Sequence, residues 1–247
     1  MAFIAETVVG ATGGAIPPAP GYFADIRRIC DRHGVLLILD EVMCGAGRTG
    51  TFLSCEQDGI VPDIVTLAKG LGAGYQPIAA TVCSRRIYDA IACGSGAFRH
   101  GQTYSAHAIG CAAALAVQDV VVQQNLLDRV ISSGAYLRGR LGKFFADHPA
   151  VGDIRGRGLL QAIEIVADPP TMRPFSAQLG LAARIKAEAF SRGLLVYPGP
   201  AVADGSRGDH VLLAPPYTTT DAELDRIVDM LGAAIDAALV SVRKIAT

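Results

Sequence analysis

Tryptophan is absent from the 247 residues, and no apolar run approaches the roughly 20 residues that a bilayer-spanning helix needs. Stretches such as 35–39, 77–82 and 109–117 are far too short. The high mean hydropathy of +0.35 therefore points to a buried α/β core, or to surface that a partner covers. An excess of either charge is also missing. Lys and Arg number 22 against 23 Asp and Glu, so neither nucleic acid nor an acidic membrane surface is expected as a partner. The six cysteines are scattered, with no CxxC pair and no His at metal-ligand spacing, which argues against a metal site and for reduced thiols in a cytoplasmic protein. No basic segment followed by an apolar one opens the chain, so no export signal is read there.

What is present is a succession of short apolar, β-branched runs. Phe3–Val9, Val35–Leu39, Asp63–Leu67, Pro77–Cys83, Leu159–Ile165, Leu194–Tyr197 and His210–Ala214 read as buried strands. Helical patterns lie between them. Gly21–His33 carries Phe23, Ile26 and Ile29 on one face and stops at Gly34, a good residue just past a helix end. Ser105–Gln123 is alanine-rich and nearly apolar all round, as a helix buried between layers would be. Leu126–His148 and Ala177–Arg192 are amphipathic, and Thr220–Val240 opens on a Thr-x-x-Glu capping box. Alternating strands and helices predict an α/β fold with a mainly parallel sheet. The stretch Asp147–Pro149 reads as a junction, with residues 1–147 forming a large domain and 148–247 a small α+β domain of three strands and two helices. Segments 168–176 and 199–208 read as turn-rich loops.

Three clusters carry chemistry. In Leu36–Val42 an apolar strand delivers Asp40 at its C-terminal end, where ligands bind in open α/β sheets. A carboxylate there would hold a ring nitrogen protonated; alone, it serves equally as a helix cap or an ion-pair partner. In Asp63–Gly74 a lysine, Lys69, follows a buried strand and precedes a glycine-rich turn. A buried lysine is costly unless its pKa falls or it becomes an imine, and both suit Schiff-base catalysis; a surface lysine in a loop remains the plain alternative. The glycines would let backbone pass close to a planar ligand. In Gly101–His107, hydroxyls and amides gather before a helix whose N-terminus could take a phosphate, although Ser105 could simply cap it. His107 reads as structural.

Taken together, these clusters resemble the class III aminotransferases of the fold-type I pyridoxal-phosphate family. The matching stretches are GYFADIRRICDRHGVLLILDEVMCGAGRTG, PDIVTLAKGLGAGYQPIAA, HGQTYSAHAIGCAAALAV, GDIRGRGLLQAIEIV and HVLLAPPYTTT, in the family's order over essentially the whole chain. The resemblance implies pyridoxal phosphate as cofactor. It implies that Lys69 joins that cofactor as a Schiff base and later moves the substrate proton, and that Asp40 keeps the pyridinium protonated. Val42 would pack against the ring face. Thr103 would reach the phosphate held by a neighbouring subunit, so an oligomer is expected. Arg48 would support its loop by salt bridges.

Two departures bear on substrate. Several family members carry a Glu after the first strand, paired with an Arg before the Ala-Pro-Pro motif; here Ala11 and Leu212 stand at those positions. Loss of both together avoids a lone buried charge. It argues for a primary amine or omega-amino acid as donor and a 2-oxo acid such as pyruvate as acceptor. The larger departure is length, because family members run to well over 400 residues and their N-terminal part supplies a phosphate-cup loop and a ring-stacking aromatic. The sheet should then lack strands and leave an unpaired edge or an exposed apolar face. A second polypeptide supplying the N-terminal half is the expected partner. The alternatives are a fragment without turnover, or a decarboxylase or aminomutase on the same cofactor.

Overall fold

The computed structural model describes residues 1–200 and 207–243. Of the segment 199–208, read above as a loop, residues 201–206 lie outside the described residues. Packing divides the chain into two compact units: Met1–Val8 with Pro18–Leu127, and Val9–Pro17 with Asp128–Thr247.

In the first unit, β1 (Ala2–Glu6), β2 (Leu36–Asp40), β3 (Ile64–Leu67) and β4 (Ala80–Cys83) form one sheet in that order. The first three are parallel and β4 is antiparallel to β3. The direction of β4 follows from its connection: residues 68–79 hold no crossover helix of the kind a parallel neighbour requires. Burial alternates along β2 and β3, with Leu37, Leu39, Val65 and Leu67 buried and their neighbours half-buried. Leu37 and Leu39 of β2 pack with Phe23 and Cys30 of α1 (Tyr22–His33), together with Cys55 and Ile60. That helix ends at Gly34 as expected, its φ of 63° closing the cap with bonds to Asp31 and Cys30 carbonyls. Asp63, just before β3, accepts from the Leu37 N–H at 2.8 Å and from Arg27 at 2.9 Å, which ties the N-terminal ends of β2 and β3 to α1.

Two helices complete this unit, α2 (Arg85–Cys93) and α3 (Ala108–Gln123). The expectation that α3 is buried between layers is corrected. Only Gly110, Ala114 and Val121 are buried, on one stripe, while Ile109, Leu115 and Val122 are 63%, 66% and 77% exposed. An all-round apolar composition shows what a helix can bury, and the described chain covers one side of it. Ile4 of the edge strand β1 is likewise exposed.

The second unit is an antiparallel sheet of β5 (Val151–Arg157), β6 (Leu160–Ile165), β7 (Tyr197–Pro200) and β8 (Asp209–Leu213), ordered β5-β6-β8-β7. Helices α4 (Leu126–Phe144), α5 (Leu181–Ser191) and α6 (Asp221–Arg243) accompany it. Val130, Leu137 and Leu141 of α4 are fully buried in one core with Ile163, Ile185, Leu224, Leu231 and Ile235. That shared core is why the packing division falls at Leu127/Asp128, ahead of the junction expected at Asp147–Pro149. The capping box opens α6 as expected: the Glu223 N–H donates to Thr220 Oγ1 and the Thr220 N–H to Glu223 Oε2. Segment Val9–Pro17 belongs to this unit through Arg155, which donates to the Gly14 and Gly13 carbonyls at 2.8 and 2.9 Å.

Candidate active site

Three parallel strands bring their C-terminal ends to one edge, and register there aligns Glu6 with Asp40 and Asp40 with Thr66. The chain leaves β2 through Asp40, Glu41 and Val42, and leaves β3 through Ala68 and Lys69. Two of the residues expected to bracket a ring, an acid and an amine, thus stand at the same edge of adjacent strands. This is where open α/β sheets bind ligands.

The acid is oriented by its own backbone. Asp40 Oδ1 accepts the Val42 N–H at 3.0 Å, a local turn that sets the half-buried carboxylate beside the half-buried Val42. Its neighbour Glu41 is the deeply buried one, 1% exposed. Glu41 accepts from Thr7 Oγ1 (2.8 Å), the Ser54 N–H (2.6 Å) and the Cys55 N–H (2.8 Å), so its charge is satisfied. Burial and then the Glu41 charge push the Cys44 thiol up to about 12, and the same two causes raise Cys55. Glu41 belongs to the Leu36–Val42 cluster, but its role is not legible in the sequence, where two adjacent acids give no sign of which is enclosed.

The amine is arranged differently from expectation. Lys69 is exposed, so the premise of a buried lysine is corrected, and desolvation would have to come from whatever packs onto this edge. Its backbone carries the mark instead. At φ 39° Lys69 lies in the left-handed region, and Ala73 follows at 48°. Such conformations cost a non-glycine residue about 1–3 kcal/mol and gather at functional sites. The turn is held by the Leu71 N–H donating to Ala68 O (2.8 Å) and by Gln118 of α3 donating to Leu71 O (3.0 Å). The glycines here serve the turn itself. A Cβ on Gly72 would come 2.7 Å from Ile78, and Gly74 sits at φ 80°.

Thr103 is not part of that edge; it stands exposed in the loop before α3. The cap of α3 is His107, whose Nδ1 accepts the Gly110 N–H at 3.4 Å, rather than Ser105, which accepts from the Gln102 N–H. His107 is thus structural, as read. Arg48 is half-buried in the loop after β2, its N–H donating to Gly45 O. In the second unit, Leu212 is buried in β8 and Ala11 lies in the 9–17 segment. Among the described residues no group of His, Cys, Asp and Glu could hold a metal ion, and no helix is long and apolar enough to cross a membrane.

The family model "Aminotransferase class-III" matches residues 1–235. The chain belongs to the class-III aminotransferases. An aminotransferase of Gibberella zeae is 46% identical over 239 residues, covering 96% of this chain and 47% of that one. Among solved structures, a transaminase described under directed evolution by ancestral reconstruction superposes with a TM-score of 0.90 at 40% identity, over 97% of this chain and 52% of that one. An amine transaminase from an uncultivated Pseudomonas species, solved in its PLP-bound form, gives 0.87 at 41% identity, over 96% and 52%. The fold is accordingly that of the fold-type I transaminases, and the class III family implies pyridoxal phosphate as cofactor. The chain spans about half the length of the curated relatives it matches.

The residues present fit that cofactor. An accessible primary amine on a strained turn and an oriented carboxylate one strand away are the donor set that a pyridine aldehyde requires. Val42 beside Asp40 offers an aliphatic face.

Proposed function

We propose that this chain forms part of a pyridoxal-phosphate-dependent transaminase acting on a primary amine or omega-amino acid and a 2-oxo acid such as pyruvate. A second polypeptide would supply the N-terminal half, within a cytoplasmic homo- or hetero-oligomer. The single observation that carries the reading is the placement of Lys69 and Asp40 at one edge of adjacent parallel strands. When bound, pyridoxal phosphate supplies an aldehyde that takes up amines covalently and a ring that draws electrons from the substrate's α-carbon.

The chain's own residues then have distinct tasks. Lys69 Nζ would hold the cofactor, and once released would carry a proton between the substrate Cα and the cofactor C4′. Its exposure gives it the reach that such a shuttle needs. Asp40 would keep the ring nitrogen protonated by its charge. Val42 would pack on the ring face. Thr103, exposed before α3, would donate its hydroxyl to the phosphate held by a neighbouring subunit. Ala11 and Leu212 stand where a carboxylate-pairing Glu and Arg would, which argues against that type of carboxylate switch.

The test joins the chain to a polypeptide corresponding to the N-terminal half of its relatives, adds pyridoxal phosphate, and follows conversion of pyruvate to alanine against an amine donor. Turnover that Lys69→Ala abolishes supports the proposal. A stable 1:1 complex that holds the cofactor but transfers no amino group refutes it, and carbon dioxide released from a 2,2-disubstituted amino acid would indicate a decarboxylase.

A further inference from the structure

We infer that Glu41 is the positioning residue for Asp40: it clamps the Asp40–Val42 turn from the buried side, and so sets the direction in which the cofactor-facing carboxylate is presented. The inference rests on the proposed role of Asp40. Asp40 itself is held by one local bond, from the Val42 N–H, and that bond is only as firm as the backbone of residue 41 between them.

Glu41 fixes that backbone from four directions. Its N–H donates to Thr66 O at 3.0 Å, continuing the ladder to β3 past the end of β2. Its carbonyl accepts the Gly45 N–H at 2.9 Å, and the turn is tight enough that a Cβ on Gly45 would lie 2.8 Å from that oxygen. Its carboxylate takes the Thr7 hydroxyl from the segment after β1, and the Ser54 and Cys55 amides from the start of the short 3-10 turn Ser54–Asp58. A carboxylate this deeply buried is costly unless every donor stays in place, and that requirement makes the anchor stiff. Burial alternates through Asp40, Glu41 and Val42, half-buried, buried and half-buried. The anchoring acid is therefore the enclosed one, and the presenting acid the one that solvent reaches.

The test uses the full chain and two readouts. The first needs no cofactor: amide exchange at Val42 and the titration of the Asp40 carboxyl, followed by NMR and assigned with Asp40→Asn. The second adds pyridoxal phosphate and records the pH midpoint of its visible absorbance. Glu41→Gln should speed Val42 exchange and move both titrations while amides of β8 keep their protection. Should that variant not fold, Thr7→Val removes one donor only. It is expected to speed Val42 exchange by about tenfold, with Thr7→Ser restoring it. Val42 exchange and Asp40 titration unchanged in Thr7→Val, or in a folded Glu41→Gln, would overturn the inference. Failure of the wild-type chain to take up pyridoxal phosphate would count against the proposed function instead, since the first readout is independent of it.

Discussion

Replacing Arg155 by methionine keeps the aliphatic stem packed and removes only the guanidinium. That group donates to the carbonyls of Gly13 and Gly14, to Asp153 and to Glu164. Asp153 is 46% exposed, so its share is close to nothing. Arg155 and Glu164 are 11% and 17% exposed, and there the loss is larger. Breaking a buried pair on one side costs about 3–5 kcal/mol, and partial access to water brings the expectation to about 3 kcal/mol. For a chain of this size that lowers the melting temperature of the second unit by about 6–12 °C, read by circular dichroism at pH 7.5. Adding Glu164→Gln removes the orphaned charge and should return about 1 kcal/mol, a coupling that a double-mutant cycle measures. Hydrogen exchange in Gly10–Ile16 should rise in the single variant, because its two carbonyl anchors are gone. A single variant within about 0.5 kcal/mol of wild type, or a double variant weaker than the single, would refute the reasoning.

Two further outcomes follow from the same unit. His210 is fully buried; burial, then the charge of Arg155, lowers its pKa below 6.5 against the opposing pull of Glu164 and of a hydrogen bond with the Ala11 backbone. The unfolded chain then binds the proton more readily, so stability is complete above about pH 6.5 and declines as pH falls through the depressed folded value; His210→Phe should flatten that part of a melting-temperature profile. Two glycines of α4 should respond oppositely to alanine. At Gly139 nothing lies within 4 Å of the new Cβ, and denaturant titration should show a gain of about 0.5–1 kcal/mol, whereas at Gly134 the Cβ would lie 2.5 Å from the Gly158 carbonyl and cost about 1–3 kcal/mol.

What could be read in the residues was what local physics determines. The apolar runs ending at Asp40 and Leu67 became strands of one sheet, and the Thr-x-x-Glu box opened α6. Strand β5 escaped notice because Gly152 and Gly156 interrupt it and Asp153, Arg155 and Arg157 make it polar, so nothing apolar alternates cleanly. Helix α2 was missed because its nine residues are too few for a sustained period. The errors of burial share one cause. The composition of α3 and the motif around Lys69 describe surfaces that want to be covered, but whether they are covered depends on contacts distant in sequence. Glu41 illustrates the converse, since its donors come from Thr7, Ser54 and Cys55, 34, 13 and 14 positions away.

The claim that Lys69 and Asp40 embrace one pyridine ring is tested most directly by covalent trapping. Pyridoxal phosphate is added to the chain, alone and with an N-terminal-half polypeptide, the mixture is reduced with borohydride, and the labelled peptide is sequenced. The account predicts label on Lys69, lost in Lys69→Ala, with the visible band of the unreduced adduct shifted in Asp40→Asn. Label spread over Lys143 and Lys186, or undiminished when Lys69 is removed, would contradict it.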